Sequence, residues 1–191
     1  MRVIAGEAKG RRLVVPEGSG TRAATDRVRE TLFGILTPVL ADAVVLDLFA
    51  GAGTLGIEAL SRGAARATFV ERAPRAIAAI KKNLETTGLT DRATVVRSDV
   101  MSYLAGPVSA DLVFCDPPFA DVETHGAVLV RLAAPGRLVV ARALRKHLPA
   151  IPPTLRVERT REIGEETLLL LKYSGSASAG GYPERGHSVS R

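Results

Sequence analysis

Cysteine, tryptophan and histidine are scarce in this 191-residue chain. It contains one cysteine, Cys115, no tryptophan, and three histidines at scattered positions, His125, His147 and His187. A single cysteine excludes both a disulfide framework and a cysteine-based zinc site within one chain. Three separated histidines do not indicate a histidine-rich metal site, so we expect no metal cofactor. Cys115 falls inside an apolar run, which predicts that it packs as a small hydrophobic residue.

Long apolar runs are also missing. No run approaches the roughly 18 residues that a membrane-spanning helix requires, although 46% of the residues are hydrophobic. Residues 1–4 pass directly into patterned sequence, so we expect no targeting segment. The hydrophobic fraction is too high for a disordered chain. The composition predicts a soluble, cytoplasmic protein with one compact domain, and no feature of it requires more than a monomer.

Acidic residues are outnumbered by basic ones. The formal net charge is +6 and the sequence pI is about 10.0, a range in which nucleic acid is a candidate partner. Most of the basic residues are arginines, and an arginine- and alanine-rich composition can also reflect GC-rich coding. Charge alone therefore leaves a polyanionic partner and an ordinary basic surface equally open.

Short apolar runs separated by stretches of helical length begin at residue 44. Such runs fit parallel strands covered on both faces, and the helical stretch 74–84 carries apolar residues on one face, with Gly88 just beyond it. Two further runs joined around Gly164 predict an antiparallel hairpin at one edge. The pattern predicts an α/β Rossmann-like fold with a mostly parallel, seven-stranded sheet. The predicted strands cover residues 44–49, 67–71, 94–98, 111–115, 137–141, 155–160 and 167–172.

The two ends of the chain differ from this central pattern. Residues 2–15 alternate around Gly6 and Gly10 as a basic hairpin would, and residues 16–24 form a polar loop. A helix is predicted to start at Thr25 or Asp26 and to end near Pro38. Residues 174–191 are rich in serine and glycine and predict a disordered tail. We therefore divide the chain into an N-terminal hairpin-and-helix extension (1–40), a main domain (41–173) and a tail (174–191).

A glycine-rich turn follows the first predicted strand. The sequence DLFAGAGTLG (47–56) leaves a strand, turns through Gly51 and Gly53 and opens a helix, which lets a ligand approach the backbone closely. The same letters match a dinucleotide fingerprint, with Glu71 placed 20 residues after Gly51 to hold a ribose. The sequence of the turn is compatible with binding of either a nicotinamide cofactor or S-adenosylmethionine. A glycine turn that binds no ligand could have the same sequence.

Acidic residues at the ends of three strands favour S-adenosylmethionine. Asp47, Glu71 and Asp99 come at or near the ends of the first, second and third predicted strands. Asp47 would repel a pyrophosphate but would complement the ammonium or sulfonium of a methionine moiety. Glu71 would hold the ribose diol, and Asp99 is placed to bind the adenine amine. Each acid alone could be an ordinary strand-end or helix-cap carboxylate.

The second motif, Asp116-Pro117-Pro118-Phe119, follows the fourth predicted strand. Two prolines make the loop rigid and remove two backbone donors, which leaves carbonyl acceptors. A carboxylate, these carbonyls and a flat aromatic ring suit a planar base that carries an exocyclic amine. The alternative is a structural Pro-Pro turn followed by a core phenylalanine.

Together the two motifs resemble S-adenosylmethionine-dependent amino-methyltransferases. The segments MRVIAGEAKGRRL (1–13) and RAATDRVRETLF (22–33) further resemble the RsmD family, bacterial enzymes that methylate a guanine N2 of small-subunit 16S ribosomal RNA. The likeness covers roughly residues 1–173 and implies a class I methyltransferase fold for residues 41–173. One departure is visible, because Arg22-Ala23-Ala24 stands where the family usually has Arg-Pro-Thr.

The resemblance implies a set of functional residues. Catalysis is assigned to Asp116, Pro117, Pro118 and Phe119, with Asp116 indispensable. The residues assigned to the binding of S-adenosylmethionine are Asp47, Phe49, Gly51, Gly53, Glu71, Arg72, Asp99 and Val100. The product of the cofactor would be S-adenosylhomocysteine, and the partner would be small-subunit ribosomal RNA or the assembled subunit.

Substrate RNA is assigned to the N-terminal extension. Residues 1–29 carry seven basic and three acidic side chains, a net charge of +4 that is consistent with phosphate contacts. The residues assigned to RNA are Arg11, Arg12, Arg22, Thr25, Asp26, Arg27 and Arg29. Arg27 and Arg29 could instead be helix-surface charges that pair with Asp26 and Glu30. A second basic group, which could equally be a solvated face, comprises Arg142, Arg145, Lys146, Arg156, Arg159 and Arg161.

Three other functions are open at this stage. A DNA adenine-N6 or cytosine-N4 methyltransferase would share the Asp116–Phe119 motif, although the chain has no obvious separate domain for reading a DNA sequence. A nicotinamide-dependent dehydrogenase or a non-catalytic RNA-binding Rossmann module would share the glycine turn. The dehydrogenase leaves Asp47 and the Asp116–Phe119 motif unexplained, and the binding module leaves the row of acids unexplained.

Overall fold

A computed structural model describes residues 1–16, 24–118 and 121–175 of the chain. Two residues assigned above to function, Arg22 and Phe119, lie outside the described residues. Most of the predicted tail, residues 176–191, lies outside them as well.

Seven strands form one sheet that is central to the molecule. They are β1 (Val44–Leu48), β2 (Arg66–Glu71), β3 (Ala93–Arg97), β4 (Leu112–Cys115), β5 (Leu138–Leu144), β6 (Leu155–Ile163) and β7 (Glu166–Tyr173). Their order across the sheet is β3-β2-β1-β4-β5-β7-β6. The first five strands are parallel, and β7 runs antiparallel to both β5 and β6. The predicted Rossmann-like sheet with a closing hairpin is confirmed.

Helices cover both faces of the sheet. They are α1 (Asp26–Leu40), α2 (Thr54–Ser61), α3 (Pro74–Thr87), α4 (Val100–Tyr103) and α5 (Val122–Leu132). Alternate strand residues point to opposite faces, so each strand contributes to two cores. Val45 and Phe69 pack in the core that α1, α2 and α3 line, whereas Leu46 and Val70 pack in the core that α4 and α5 line. Among the described residues, no helix has the length and apolar character to cross a membrane.

Helix α1 begins where its sequence predicts and ends later. Thr25 is the N-cap, and its side-chain oxygen accepts a hydrogen bond from the backbone N–H of Val28. The expectation that Pro38 ends the helix is wrong, because the helix continues to Leu40. Leu36 and Leu40 are both buried on one face of the helix, and their packing offsets the backbone hydrogen bond that Pro38 cannot donate.

The N-terminal segment folds back on itself against the sheet-covering helices. A single antiparallel bridge joins Arg2 to Arg12, and the N–H of Val3 donates to the carbonyl of Arg11. Val3, Ala8 and Leu13 are buried in the same core as α1 and α2. The exposed basic side chains of this segment therefore sit on a backbone that is packed onto the main domain.

A buried carboxylate on α2 anchors this segment. Glu58 is fully buried and accepts hydrogen bonds from the backbone N–H groups of Ile4 (2.8 Å) and Ala5 (3.0 Å). The same carboxylate accepts from the Arg62 Nε at 2.8 Å and lies 3.4 Å from the Arg29 Nη1. Glu58 therefore connects the N-terminal segment, α1 and α2 through one charged group.

Ser61, one turn further along α2, completes the attachment. Its hydroxyl donates to the carbonyl of Ala5 (2.6 Å) and accepts from the N–H of Ala8 (3.0 Å). Gly6 has a φ of +85°, and a Cβ there would lie 1.7 Å from the Ser61 carbonyl oxygen. Only glycine permits this approach of the N-terminal segment to α2.

We expect Glu58→Ala to lower the free energy of unfolding by about 3–5 kcal/mol. The substitution removes a buried partner of Arg29 and leaves two backbone donors without an acceptor. Urea titration followed by circular dichroism measures the change. Glu85→Ala is the control, because Glu85 is 65% exposed and pairs with the exposed Lys82, so a change within about 0.5 kcal/mol is expected. Equal losses in the two variants would contradict the anchoring role of Glu58.

Candidate active site

The carboxyl ends of four parallel strands meet at one edge of the sheet and open into a cleft. Strand register places Leu48 beside Val70 of β2 and beside Cys115 of β4, so the segments that follow these strands come together. We call this opening the strand-end cleft. It is lined by Phe49, Gly51, Val70, Glu71, Arg72, Ala73, Ala76, Ser98, Val100, Pro118 and Asp121. Ligands of open α/β sheets bind at this edge.

The glycine turn forms one wall of the cleft. Phe49, Gly51 and Gly53 all have positive φ values, of 57°, 56° and 75°. A positive φ is uncommon in a non-glycine residue such as Phe49, and this kind of backbone strain clusters at ligand sites. The Gly53 N–H closes the turn onto the Ala50 carbonyl at 2.7 Å, and α2 begins at the next residue. The turn therefore presents backbone, with little side chain, to the cleft at Gly51.

Glu71 lies in the cleft wall and is held by backbone donors. Its Oε2 accepts from the Gly51 N–H at 2.9 Å, and its Oε1 accepts from the N–H groups of Arg72 and Ala73, both at 2.8 Å. A carboxylate has about four lone-pair positions, so about one is left for a ligand. The carboxylate thus has a defined orientation and also fixes the glycine turn against β2.

Asp47 does not line the cleft. Its side chain is buried beneath α2, where Oδ2 accepts from the Gly56 N–H at 2.9 Å. Burial raises the pKa of Asp47 well above its usual value, against the lowering effect of this hydrogen bond, and the charges of Asp116 and Glu71 raise it further. Asp47 thus holds the N-terminal end of α2 through Oδ2, and its expected contact with a cationic ligand stays a prediction.

Gly56 allows this close packing of α2 on the sheet. A Cβ at this position would lie 2.3 Å from the Phe69 Cε1 and 3.1 Å from the Asp47 Oδ2. The third glycine of the motif is therefore needed for contact between the helix and β2. Gly53 packs nearby and also does not line the cleft.

Asp99 is an exposed helix cap beside the cleft. Its Oδ1 accepts from the N–H groups of Met101 (2.9 Å) and Ser102 (3.2 Å) at the start of α4. Its neighbours Ser98 and Val100 line the cleft, but Asp99 itself does not. The row of three acids is thus present along the strand ends, with only Glu71 in the cleft wall.

The Asp116-Pro117-Pro118 segment reaches the cleft through Pro118. Pro118 lines the cleft, Pro117 is buried, and Asp116 is mostly buried directly after β4. Asp116 Oδ1 accepts a hydrogen bond from the Nε of Arg142 at 2.8 Å. Burial raises the pKa of Asp116, and the adjacent Arg142 guanidinium opposes that rise. Cys115 just before it is fully buried in the core, and burial raises the pKa of its thiol, as expected for a packing residue.

Arg142 is a residue whose role the sequence pattern did not reveal. The sequence places it in a basic group that could be a solvated face, but its side chain is only 4% exposed and it bridges Asp116 and Glu166. An arginine inside the apolar run RLVVARAL was the available signal. The sequence also missed five residues of the cleft wall, namely Val70, Ala73, Ala76, Ser98 and Asp121. They have common side chains with no motif to distinguish them.

Arg29 is not available to an external ligand. It is fully buried, and its Nη2 donates to the Asp26 Oδ1 (2.8 Å) and to the Arg2 carbonyl (2.7 Å). The assignment of Arg29 to substrate RNA is therefore wrong, and Asp26 and Thr25 are engaged in the ion pair and the helix cap. Arg11, Arg12 and Arg27 are exposed. The burial of Arg29 follows from its pairing with Glu58, which is distant in sequence.

A metal centre is not evident in the described parts of the chain. Residues 1–16, 24–118 and 121–175 contain no group of three or more histidine, cysteine or acidic side chains that could hold a metal ion.

Comparison with known proteins identifies similar chains. The family model described as conserved hypothetical protein 95 matches residues 1–172. The chain is 40% identical over 175 residues to ribosomal RNA small subunit methyltransferase D of Escherichia coli K12, covering 86% of each chain. It is also similar to the solved structure of yhhF from Escherichia coli, which is described as a methyltransferase. That structure has a TM-score of 0.81 and 37% identity, over 91% of this chain and 97% of that one.

A more distant solved structure shares only the fold. SMU.776, described as a methyltransferase complexed with S-adenosylhomocysteine, is 16% identical, with a TM-score of 0.65. The likeness covers 80% of this chain and 50% of that one.

We expect Gly56→Ala to lower the free energy of unfolding by about 1–3 kcal/mol, because the added methyl group overlaps Phe69 and forces α2 away from the sheet. Chemical denaturation of purified protein measures this. Gly34→Ala is the matched control in the exposed middle of α1, where a Cβ meets nothing within 4 Å and alanine is the better helix former. The control is expected to be neutral or slightly more stable. A Gly56→Ala protein as stable as wild type would contradict the close-packing role.

Proposed function

The chain belongs to the conserved hypothetical protein 95 family, the RsmD family, and we propose that it methylates the exocyclic N2 of a guanine in small-subunit ribosomal RNA with S-adenosylmethionine as methyl donor. The observation that carries the proposal is the convergence of two motifs on the strand-end cleft. Gly51 of the glycine turn and Glu71 line this cleft together with Pro118, which lies next to Pro117 in the Asp116–Phe119 motif. The name of the Escherichia coli relative supports ribosomal RNA as the substrate.

The lining of the strand-end cleft fits S-adenosylmethionine. Glu71 has acceptor capacity for one hydroxyl of a ribose diol, and the Gly51 backbone allows a ligand to come close. Val70, Ala76 and Val100 provide apolar surface for a planar adenine. The complex of SMU.776 with S-adenosylhomocysteine, in a protein of the same fold, supports this choice of cofactor. When bound, the cofactor supplies an activated methyl group on a sulfonium centre.

Asp116 and the prolines after it would position the acceptor amine. An aryl amine is a weak nucleophile because its lone pair is delocalised into the ring. The Asp116 carboxylate and the Pro117 carbonyl, as hydrogen-bond acceptors, would hold its two N–H groups and localise that lone pair. They would also stabilise the positive charge that grows on the nitrogen during attack. The chain thus contributes mainly orientation and electrostatics, which is the larger part of what this reaction needs.

The N-terminal extension would bind RNA through its exposed basic residues. Arg11 and Arg12 are exposed and belong to the N-terminal segment that Glu58 and Ser61 fix to α2, and the exposed Arg27 lies on α1. We propose residues 1–40 as this RNA-binding extension, residues 41–173 as the catalytic domain and residues 174–191 as a tail. Arg22 and Phe119, outside the described residues, are proposed to bind RNA and to stack on the target base. The protein would act as a monomer in the cytoplasm.

Transfer of radiolabelled methyl from S-adenosylmethionine tests the proposed function. The acceptors are small ribosomal subunits from a strain that lacks this gene, their naked RNA, and duplex DNA, each digested to nucleosides after reaction. We expect label in N2-methylguanosine, and the better acceptor identifies whether the particle or free RNA is recognised. Label only in DNA adenine or cytosine would keep the assigned site but replace the substrate. Cofactor binding without transfer to any acceptor would contradict the proposal.

We expect Asp116→Asn to lower the methyl-transfer rate by about 100-fold or more while cofactor affinity stays near that of wild type. The asparagine retains the size of the side chain but loses the negative charge that stabilises the reacting amine. Single-turnover transfer and calorimetric titration of S-adenosylhomocysteine measure the two effects separately. Transfer at the wild-type rate would remove Asp116 from the mechanism.

Glu71→Ala is expected to weaken cofactor binding by ~1.5–3 kcal/mol, the scale of a hydrogen bond to a charged group. The same titration measures it. Asp91→Ala serves as the control, because Asp91 is an exposed acid just before β3, at the opposite edge of the sheet from the strand-end cleft. Equal affinity in the wild-type and Glu71→Ala proteins would show that Glu71 does not contact the ligand.

A further inference from the structure

Three charged side chains meet next to the strand-end cleft. Arg142, in the middle of β5, donates from Nε to the Asp116 Oδ1 at 2.8 Å and from Nη1 to the Glu166 Oε2 at 3.1 Å. The side chains of Arg142, Asp116 and Glu166 are 4%, 15% and 9% exposed. One guanidinium is thus shared by two carboxylates in a place with little water. We call these residues the Arg142 cluster.

The geometry of the Arg142 cluster gives Arg142 control over Asp116. Arginine stays protonated in proteins, and its planar guanidinium holds partners in fixed directions. Strand pairing fixes the cluster, since Arg142 lies opposite Leu168 of β7 and Glu166 is the first residue of that strand. Because Glu166 takes Nη1, the Nε of Arg142 is directed at Asp116. The Asp116 carboxylate is therefore oriented by a neighbour that does not line the strand-end cleft.

We propose that Arg142 is a positioning residue for methyl transfer, which holds Asp116 ionised and oriented so that its second oxygen, Oδ2, accepts a hydrogen bond from the substrate amine. Glu166 holds the guanidinium in place and at the same time weakens its effect, since it competes for the positive charge. This inference rests on the proposed function, because it assigns a role within the same reaction.

The charged and titratable groups around Asp116 come from four strands. Arg142 on β5 stabilises its negative charge, whereas Glu166 on β7 destabilises it. Asp47 on β1 interacts with Asp116 through its charge, and the neighbouring Cys115 thiol on β4 is kept neutral by burial. Among the described residues, Arg142 is the cation that offsets the burial of Asp116. Without Arg142, burial and the charge of Glu166 both favour the protonated carboxyl.

The direction of the expected pH effect follows from these signs. A protonated Asp116 has no ionised oxygen to accept a hydrogen bond from the substrate amine. The transfer rate is therefore expected to rise with pH as this carboxyl ionises. Loss of Arg142 raises the pKa of Asp116 and moves the rise to higher pH. Loss of the charge on Glu166 lowers the pKa of Asp116 and moves the rise to lower pH. A purely structural ion pair would not give shifts of opposite sign.

The test is the pH dependence of single-turnover methyl transfer by the full-length protein, with saturating S-adenosylmethionine and the RNA acceptor. In Arg142→Met we expect the acidic limb to shift upward by about 1–3 pH units, the usual effect of losing an adjacent opposite charge. Arg142→Lys keeps the positive charge, so its pH profile is expected to shift less than that of Arg142→Met. In Glu166→Gln we expect a smaller shift downward. Arg66→Met, an exposed arginine at the start of β2, is the control with an unshifted profile.

Glu166→Gln keeps the test informative if Arg142→Met fails to fold, because it leaves Arg142 paired with Asp116. Calorimetric titration of S-adenosylhomocysteine should give wild-type affinity in every folded variant. Reduced rates with unshifted profiles, or shifts of the same sign in both variants, would overturn the proposal. A wild-type protein that binds the cofactor but transfers no methyl group to RNA would refute the proposed function itself, and the role of Arg142 in it would fall as well.

Discussion

Parallel pairing of the first five strands is the constraint on which the candidate site depends. Parallel neighbours end at the same edge of a sheet, so residues 49–53, 71–73, 98–100 and 116–118 are brought together although they are far apart in sequence. The loops on this edge need only small adjustments, such as the positive φ of Phe49 and Gly51, to complete the cleft. The site is therefore a consequence of the topology, with its chemistry added by a few side chains.

Helix α2 connects this cleft to the N-terminal extension. Its first turn is fixed by the contact of Gly56 with Phe69 and by the hydrogen bond to Asp47, and the glycine turn depends on that placement. Its later residues, Glu58 and Ser61, hold the backbone of residues 4–8. A single eight-residue helix therefore sets the position of the proposed RNA-binding segment relative to the proposed cofactor site. Asn83 on α3 adds a second link, since it bonds both Val14 and the Ala52 carbonyl.

Buried ionisable groups are hydrogen-bonded within the fold at three places. Glu58 with Arg29, Asp47 with the N-terminal end of α2, and the Arg142 cluster each place ionisable groups out of water with hydrogen-bonded partners. Such pairs contribute modestly to net stability but are costly to break singly, because the remaining charge stays buried. They surround a cleft whose walls combine apolar residues with the charged residues Glu71, Arg72 and Asp121.

The sequence by itself determined the strand and helix rhythm, the closing hairpin and the two motifs that meet at the cleft. Apolar periodicity and the positions of glycine and proline are local signals. They act on the nearby backbone and do not depend on contacts with residues distant in the sequence. Only the tertiary structure decided which charged residues face solvent. Arg29 and Arg142 look like surface arginines in the sequence, and Asp47 looks like a ligand-binding acid. Each is buried because its partner, Glu58, Asp116 or the N-terminal end of α2, comes from another element whose distance cannot be read from spacing.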